Sequence, residues 1–136
     1  LTVVHDRAGF AERVAAKAGA ARERILEALA REYPPVEHPL VRTHPETGKR
    51  ALFFARQFIS HVKDLASAES DMVLDFVDEH VKDVALQCRW HWKKGDLAIW
   101  DERSTLHRSA ANHWPHVRVI RRLEIDGDRP CFDPTR

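Results

Sequence analysis

The sequence predicts a mainly β domain with flanking helices, an antiparallel sandwich or jelly roll of the α+β class. Three observations predict it. Short apolar or alternating runs recur through the second half, at 86–92, 97–100 and 117–125. Gly- and Pro-bearing turns separate them. Two amphipathic stretches, at 9–33 and 67–81, stand apart from these runs and read as helices laid outside a sheet.

Taken in order, residues 1–5 form a short apolar strand or extended entry. From Gly9 to about Tyr33 the chain is rich in Ala, Glu and Arg, with Phe10, Val14, Ala18, Ile25, Leu26 and Leu29 near a helical period. Gly19 weakens the middle, so two helical pieces are expected, and Pro34-Pro35 ends the second. Val36 to Phe54 carries two apolar runs around the turn Pro45-Glu46-Thr47-Gly48, which is a hairpin signal. Ser67 to about Val81 is the next helix, capped by Ser67, with Met72, Leu74, Phe76, Val77 and Val81 as its apolar face. Leu86 to Trp92 alternates as a half-buried strand should, Lys93 to Asp96 turns the chain, and Leu97 to Trp100 is a second strand. A polar connection runs to Pro115, Val117 to Ile125 is the last strand, and Gly127 to Arg136 is a tail. No repeat or low-complexity segment interrupts this order.

Composition narrows the functional classes. The chain has 136 residues, enough to bury a real core, with 22 Lys+Arg against 21 Asp+Glu. A net charge of +1 argues against nucleic acid or a membrane surface as partner. No apolar run reaches the roughly 18–20 residues of a membrane helix, and no leader pattern opens the sequence. Cys88 and Cys131 form neither a disulfide framework nor a CxxC site, so a reducing compartment such as the cytoplasm is expected. The chain opens abruptly on Leu1-Thr2-Val3-Val4, which points to sequence upstream, and its nine histidines raise the question of metal binding.

The segment from Gly95 to Pro130 holds the candidate chemistry. His107 lies just past a predicted strand end, in a polar connection that can aim an imidazole into a barrel mouth. Arg118 and Arg122 are an even number of residues apart and share one strand face. Two guanidinium groups on one face are costly to bury without anions, and guanidinium suits bidentate carboxylate or sulfonate recognition. A metal-ligating histidine beside such a pair fits a metal-bound organic acid, although each residue taken alone reads equally as a surface side chain. Trp100, Asp101 and Arg103 read as a packed strand end held by an Asp101–Arg103 interaction. His61 and His80 read as solvated, His91 as facing away from Trp90 and Trp92, and His113 and His116 as a surface loop or a lid.

The block Gly95-Asp96-Leu97-Ala98-Ile99-Trp100-Asp101-Glu102-Arg103-Ser104-Thr105-Leu106-His107 resembles the GDxxxWDNRxTxH block of the taurine/α-ketoglutarate dioxygenase (TauD/TfdA) family. Arg118 to Arg122 with Gly127-Asp128-Arg129-Pro130 is similar to that family's RxMxRxxxxGDxP end, and His38 to Phe53 to its HPVVRTHPETGRxxLF hairpin. Leu1 to Asp6 resembles the LxAxHD segment. The matches run in order over most of the chain, the helical stretch 9–33 being the least characteristic.

The resemblance implies an Fe(II)- and 2-oxoglutarate-dependent oxygenase on a double-stranded β-helix, a jelly-roll variant, with iron held by two histidines and a carboxylate. It makes His107 the distal iron ligand. Arg118 would pair with the far carboxylate of 2-oxoglutarate. Arg122 would help hold that anion or the anionic group of the substrate, with Trp100, Asp101 and Arg103 in support. The implied substrate is a small, anionic organic molecule of the sulfonate, sulfate ester or aryloxy-acid class. The family's other two ligands come from an HxD motif preceding the LxAxHD segment. The only HxE here, His44-Pro45-Glu46, falls in the hairpin turn, where the family has no ligand. Residues 1–136 are therefore expected to be a single partial domain, the C-terminal half of such an oxygenase. The alternatives are a non-catalytic remnant serving as a binding or oligomerisation module and one half of a split enzyme. Either way a second copy or the complementary half is the expected partner. Glu102, Leu106 and Ala55 depart from the common Asn, Gln and Asn of the family and leave the substrate open.

Overall fold

The computed structural model describes residues 1–110 and 113–136. Strand β1 (Thr2–His5) is the middle of a three-stranded antiparallel sheet, between β2 (Val36–Pro39) and β5 (Ile59–Val62). Helices α1 (Ala8–Ala15) and α2 (Arg22–Glu32) connect β1 to β2. They are separate because Gly19 adopts φ +51°, a left-handed value that ends a helix without Cβ strain. The stripe that α1 buries is Ala11 and Ala15, not the expected Phe10 and Val14, which remain 36% and 47% exposed. Small side chains let α1 approach its neighbours closely. In α2 the expected Ile25, Leu26 and Leu29 are half-buried.

The predicted hairpin forms. Strands β3 (Val41–Thr43) and β4 (Arg50–Leu52) pair antiparallel with Val41 opposite Leu52 and Thr43 opposite Arg50. Gly48 closes the turn at φ +68°, and an added Cβ would meet only the flexible Arg136 side chain, at 3.6 Å. The cost of a side chain there is thus backbone strain alone. Gly48→Ala is expected to destabilise the protein by about 1–2 kcal/mol, read as a shifted urea midpoint with unchanged slope.

Helix α3 (Ser67–Val81) spans the predicted residues, but its cap differs. Ala66 is the capping residue, and Glu69 supplies the side-chain bond by accepting the Ala66 N–H at 3.1 Å. Ser67 is the first helical residue. Buried Ser70 instead accepts the Val62 N–H at 2.8 Å and fastens the helix to the end of β5. Leu74 and Val77 enter the core with Val3, Leu40, Phe54, Ile59 and Val62, and Val81 packs against its edge. Met72 and Phe76, expected on the same face, are 74% and 75% exposed, because the covered stripe is centred on Ser70, Leu74 and Val77. Ile59 and Val62 are both buried although three residues apart. A bulge opposite Val4 and His5 resets the two-residue alternation between them.

The C-terminal third departs most from expectation. The runs 86–92, 97–100 and 117–125 form no strand; Val84–Leu86 is a short 3-10 turn, and the described residues from 87 onward contain neither helix nor strand. A strand needs a neighbour's backbone, and among the described residues none of these runs pairs with one. Their apolar side chains are accordingly open, with Leu123 and Ile125 at 96% and 97% exposure. Trp90, His91 and Trp92 are all exposed, so the expected inside–outside contrast is absent. The polar connection to Pro115 includes residues 111 and 112, which lie outside the described residues. The tail, by contrast, is docked. The Thr43 N–H donates to the Cys131 carbonyl at 2.8 Å, and Arg42, almost fully buried, pairs with Asp128 at 2.7 Å. Both cysteines are exposed and free. Among the described residues no helix is long and apolar enough to cross a membrane.

Candidate functional site

The residues from Trp100 to Arg122 make two clusters around neighbouring carboxylates. The first is a clamp built on Asp101. Its carboxylate accepts from the Arg103 backbone N–H at 2.8 Å and from Arg103 Nε and Nη2 at 2.9 Å each. It also faces His44 Nε2 at 2.9 Å. Arg103 Nη1 reaches across to Glu46 at 2.8 Å. His44 Nδ1 accepts the Thr47 and Glu46 N–H groups at 3.2 and 3.3 Å, so its proton sits on Nε2 and is donated to Asp101. Arg103 first, and His44 second, hold the Asp101 carboxyl well below the usual carboxylate range, and Asp101 in turn raises the Arg103 guanidinium. Asp101 and Arg103 meet, and the hairpin turn joins them. That turn holds the one HxE of the sequence, and both of its candidate ligand groups are spent on this clamp.

The second cluster is built on Glu102. One carboxylate oxygen accepts from Trp100 Nε1 at 2.9 Å, lies 3.0 Å from His107 Nδ1, and lies 3.2 Å from Arg122 Nη2. Arg122 Nη1 stands 3.2 Å from His107 Nε2. Arginine only donates, so Nε2 accepts and the ring carries its proton on Nδ1, toward Glu102. The Trp100 and His107 rings lie 5.2 Å apart, centre to centre. All of these groups are solvent-accessible. The structure thus brings His107, Arg122 and Trp100 together on Glu102, a residue that sequence reasoning had noted only as a departure from asparagine. Arg118 is elsewhere; its Nη1 donates to the Ala110 carbonyl at 3.0 Å.

An iron centre needs three protein ligands with free lone pairs. His107 turns its one lone pair to Arg122, and among the described residues no group of three or more His, Cys, Asp or Glu side chains surrounds a common point. These residues by themselves do not fit an iron ion. What they do is grip a carboxylate between an imidazole and a guanidinium.

The family model described as "Taurine catabolism dioxygenase TauD, TfdA family" matches residues 1–123, and the chain belongs to that family, whose members are α-ketoglutarate-dependent dioxygenases. A putative alpha-ketoglutarate-dependent sulfonate dioxygenase of Schizosaccharomyces pombe is 35% identical over 97 residues, covering 71% of this chain and 25% of that protein. An alpha-ketoglutarate-dependent sulfate ester dioxygenase of Pseudomonas putida is 36% identical over 94 residues, covering 69% and 31%. The alpha-ketoglutarate-dependent 2,4-dichlorophenoxyacetate dioxygenase of Cupriavidus pinatubonensis is 40% identical over 96 residues, covering 71% and 33%. Among solved structures, a taurine dioxygenase from Burkholderia xenovorans superposes with a TM-score of 0.50 at 30% identity, over 75% of this chain and 38% of that one. The chain therefore spans a quarter to a third of the length of these curated relatives.

Proposed function

We propose that this chain supplies the histidine-and-arginine part of an Fe(II)- and 2-oxoglutarate-dependent dioxygenase that hydroxylates a small anionic organic substrate. The observation that carries the reading is the carboxylate of Glu102 held between His107 and Arg122, the kind of contact an organic acid would make beside a metal-ligand type of side chain. His107 is the iron ligand that this chain contributes, its Nε2 lone pair freed when Arg122 turns from it to the bound anion. Arg118 takes the far carboxylate of 2-oxoglutarate, and Arg122 that anion or the anionic group of the substrate, in exchange for its ion pairs with Glu102 and Glu124. Trp100, Asp101 and Arg103 hold the loop that carries His107. The substrate class is sulfonate, sulfate ester or aryloxyacetate, as the names of the relatives indicate.

Residues 1–136 are one partial domain in this reading, and the runs 86–92, 97–100 and 117–125 become strands of a double-stranded β-helix once paired. The exposure of Leu97, Ile99, Val117, Leu123 and Ile125 supports a complementary β-rich segment, or a second copy, as their cover.

The test adds to this chain the part of the Burkholderia xenovorans taurine dioxygenase that it does not cover, with Fe(II) and 2-oxoglutarate under anaerobic conditions. A visible charge-transfer band of the iron–keto acid chelate is expected. Admitting oxygen and substrate should then give succinate. His107→Ala should remove the band and lower succinate output by about 100-fold or more. Arg118→Lys should keep the band but require about tenfold more 2-oxoglutarate, since an ammonium cannot make the bidentate contact. Equal signals with and without His107 would sink the reading.

A further inference from the structure

Away from this cluster, His5 and His38 share one face of the three-stranded sheet. Val3 stands opposite His38 and His5 opposite Val36, so the two histidines are diagonal neighbours on the face that buries Val3 and Leu40. Their ring centres are 5.0 Å apart, at 89° to each other. Both rest on Phe53, His5 stacked at 5.2 Å and His38 edge-on at 5.3 Å. Among the described residues, His5 Nε2 and His38 Nδ1 are each buried without a hydrogen-bond partner. Buried polar atoms are nearly always paired, and two orphans on adjacent rings call for a ligand.

We infer that His5 and His38 form a metal-binding site, separate from the His107 cluster, for a borderline divalent transition ion of the Ni(II), Cu(II) or Zn(II) class. Two imidazoles bonded to one ion at about 2.0–2.1 Å place their ring centres about 5 Å apart for bond angles near tetrahedral, which matches the observed spacing. Packing against Phe53 fixes both rings before any ion arrives, as ligand preorganisation requires. Burial, with His38 adding to it, pushes the His5 imidazole down to about 4, and burial lowers His38 as well, so both rings are in the neutral, ligating form. Arg42 and Arg129 lie close enough to His38 to oppose its protonation. That positive surrounding disfavours hard ions held by field attraction, such as Mg(II) and Ca(II). It leaves ions whose bond to imidazole nitrogen is strong in its own right. The pair provides two ligands only. The adjoining cavity of about 340 Å³, lined also by Arg7, Tyr33 and Phe58, has room for water or a small anion at the remaining positions.

The experiment titrates the whole chain with Ni(II), followed by calorimetry and by broadening of the histidine ring-proton resonances. One site per chain is expected, with the His5 and His38 resonances broadened first. His5→Gln and His38→Gln should each weaken binding by at least tenfold, while His80→Ala, at an exposed histidine near the end of α3, leaves it unchanged. The resonance pattern needs no substitution, so it decides the matter even where a variant folds poorly. Absence of binding, unchanged affinity in both glutamine variants, or broadening confined to other histidines would overturn the inference. Because the test reads His5 and His38 alone, the dioxygenase reading stands or falls separately.

Discussion

Leu74→Ala should destabilise the protein by about 3 kcal/mol, within the 2–5 kcal/mol range of large-to-small core changes. Leu74 is 0% exposed and lies in the apolar core with Val3, Ile59 and Val62, where α3 meets the sheet. In so small a core a lost isobutyl group has few neighbours that can collapse into its space, and the cavity term adds to the lost transfer energy. Met72→Ala, two residues away but 74% exposed, should change stability by less than about 0.5 kcal/mol. Urea unfolding of the two variants reads the difference directly. A Leu74→Ala midpoint equal to that of Met72→Ala would mean that α3 does not present this stripe to β1 and β5.

The same pair of residues shows how far the sequence speaks for itself. The extent of α3 was legible, because a helical period and an acidic first turn are local signals. Its buried stripe was not, because Met72 and Phe76 are as apolar as Leu74 and Val77, and only the sheet decides which face is covered. The break at Gly19 and the hairpin around Gly48 were legible for the same local reason. The runs 86–92, 97–100 and 117–125 have strand patterns but no strands. Alternation states which side chains want burial, while a ladder requires a neighbouring backbone that the pattern cannot supply. At the candidate site, His107 and Arg122 were found by motif and do meet, whereas the bond between His44 and Asp101 spans 57 residues and left no local trace.

That bond carries the second large effect. His44→Ala should cost about 2–3 kcal/mol, the scale of a buried hydrogen bond to a charged group. It should also loosen the loop that bears Trp100 to His107. His44 is buried and has two jobs: Nδ1 closes the hairpin turn on the Glu46 and Thr47 amides, and Nε2 holds Asp101. His44→Asn separates them, since its shorter amide can still accept the turn N–H groups but does not reach Asp101. It should recover part of the stability without restoring protection of the Ser104 and Thr105 amides, which bond to the Asp101 carbonyl and report the loop by hydrogen exchange. The acid limb gives an independent check. Asp101 is held below its unfolded value, so the unfolded chain binds the extra proton. The advantage of the native protein over Asp101→Asn should therefore be level from pH 7 down to about 5 and shrink below about 4. An advantage that instead grew on acidification would show that the carboxylate is not held as the charged form by Arg103 and His44, and the clamp would lose its physical basis.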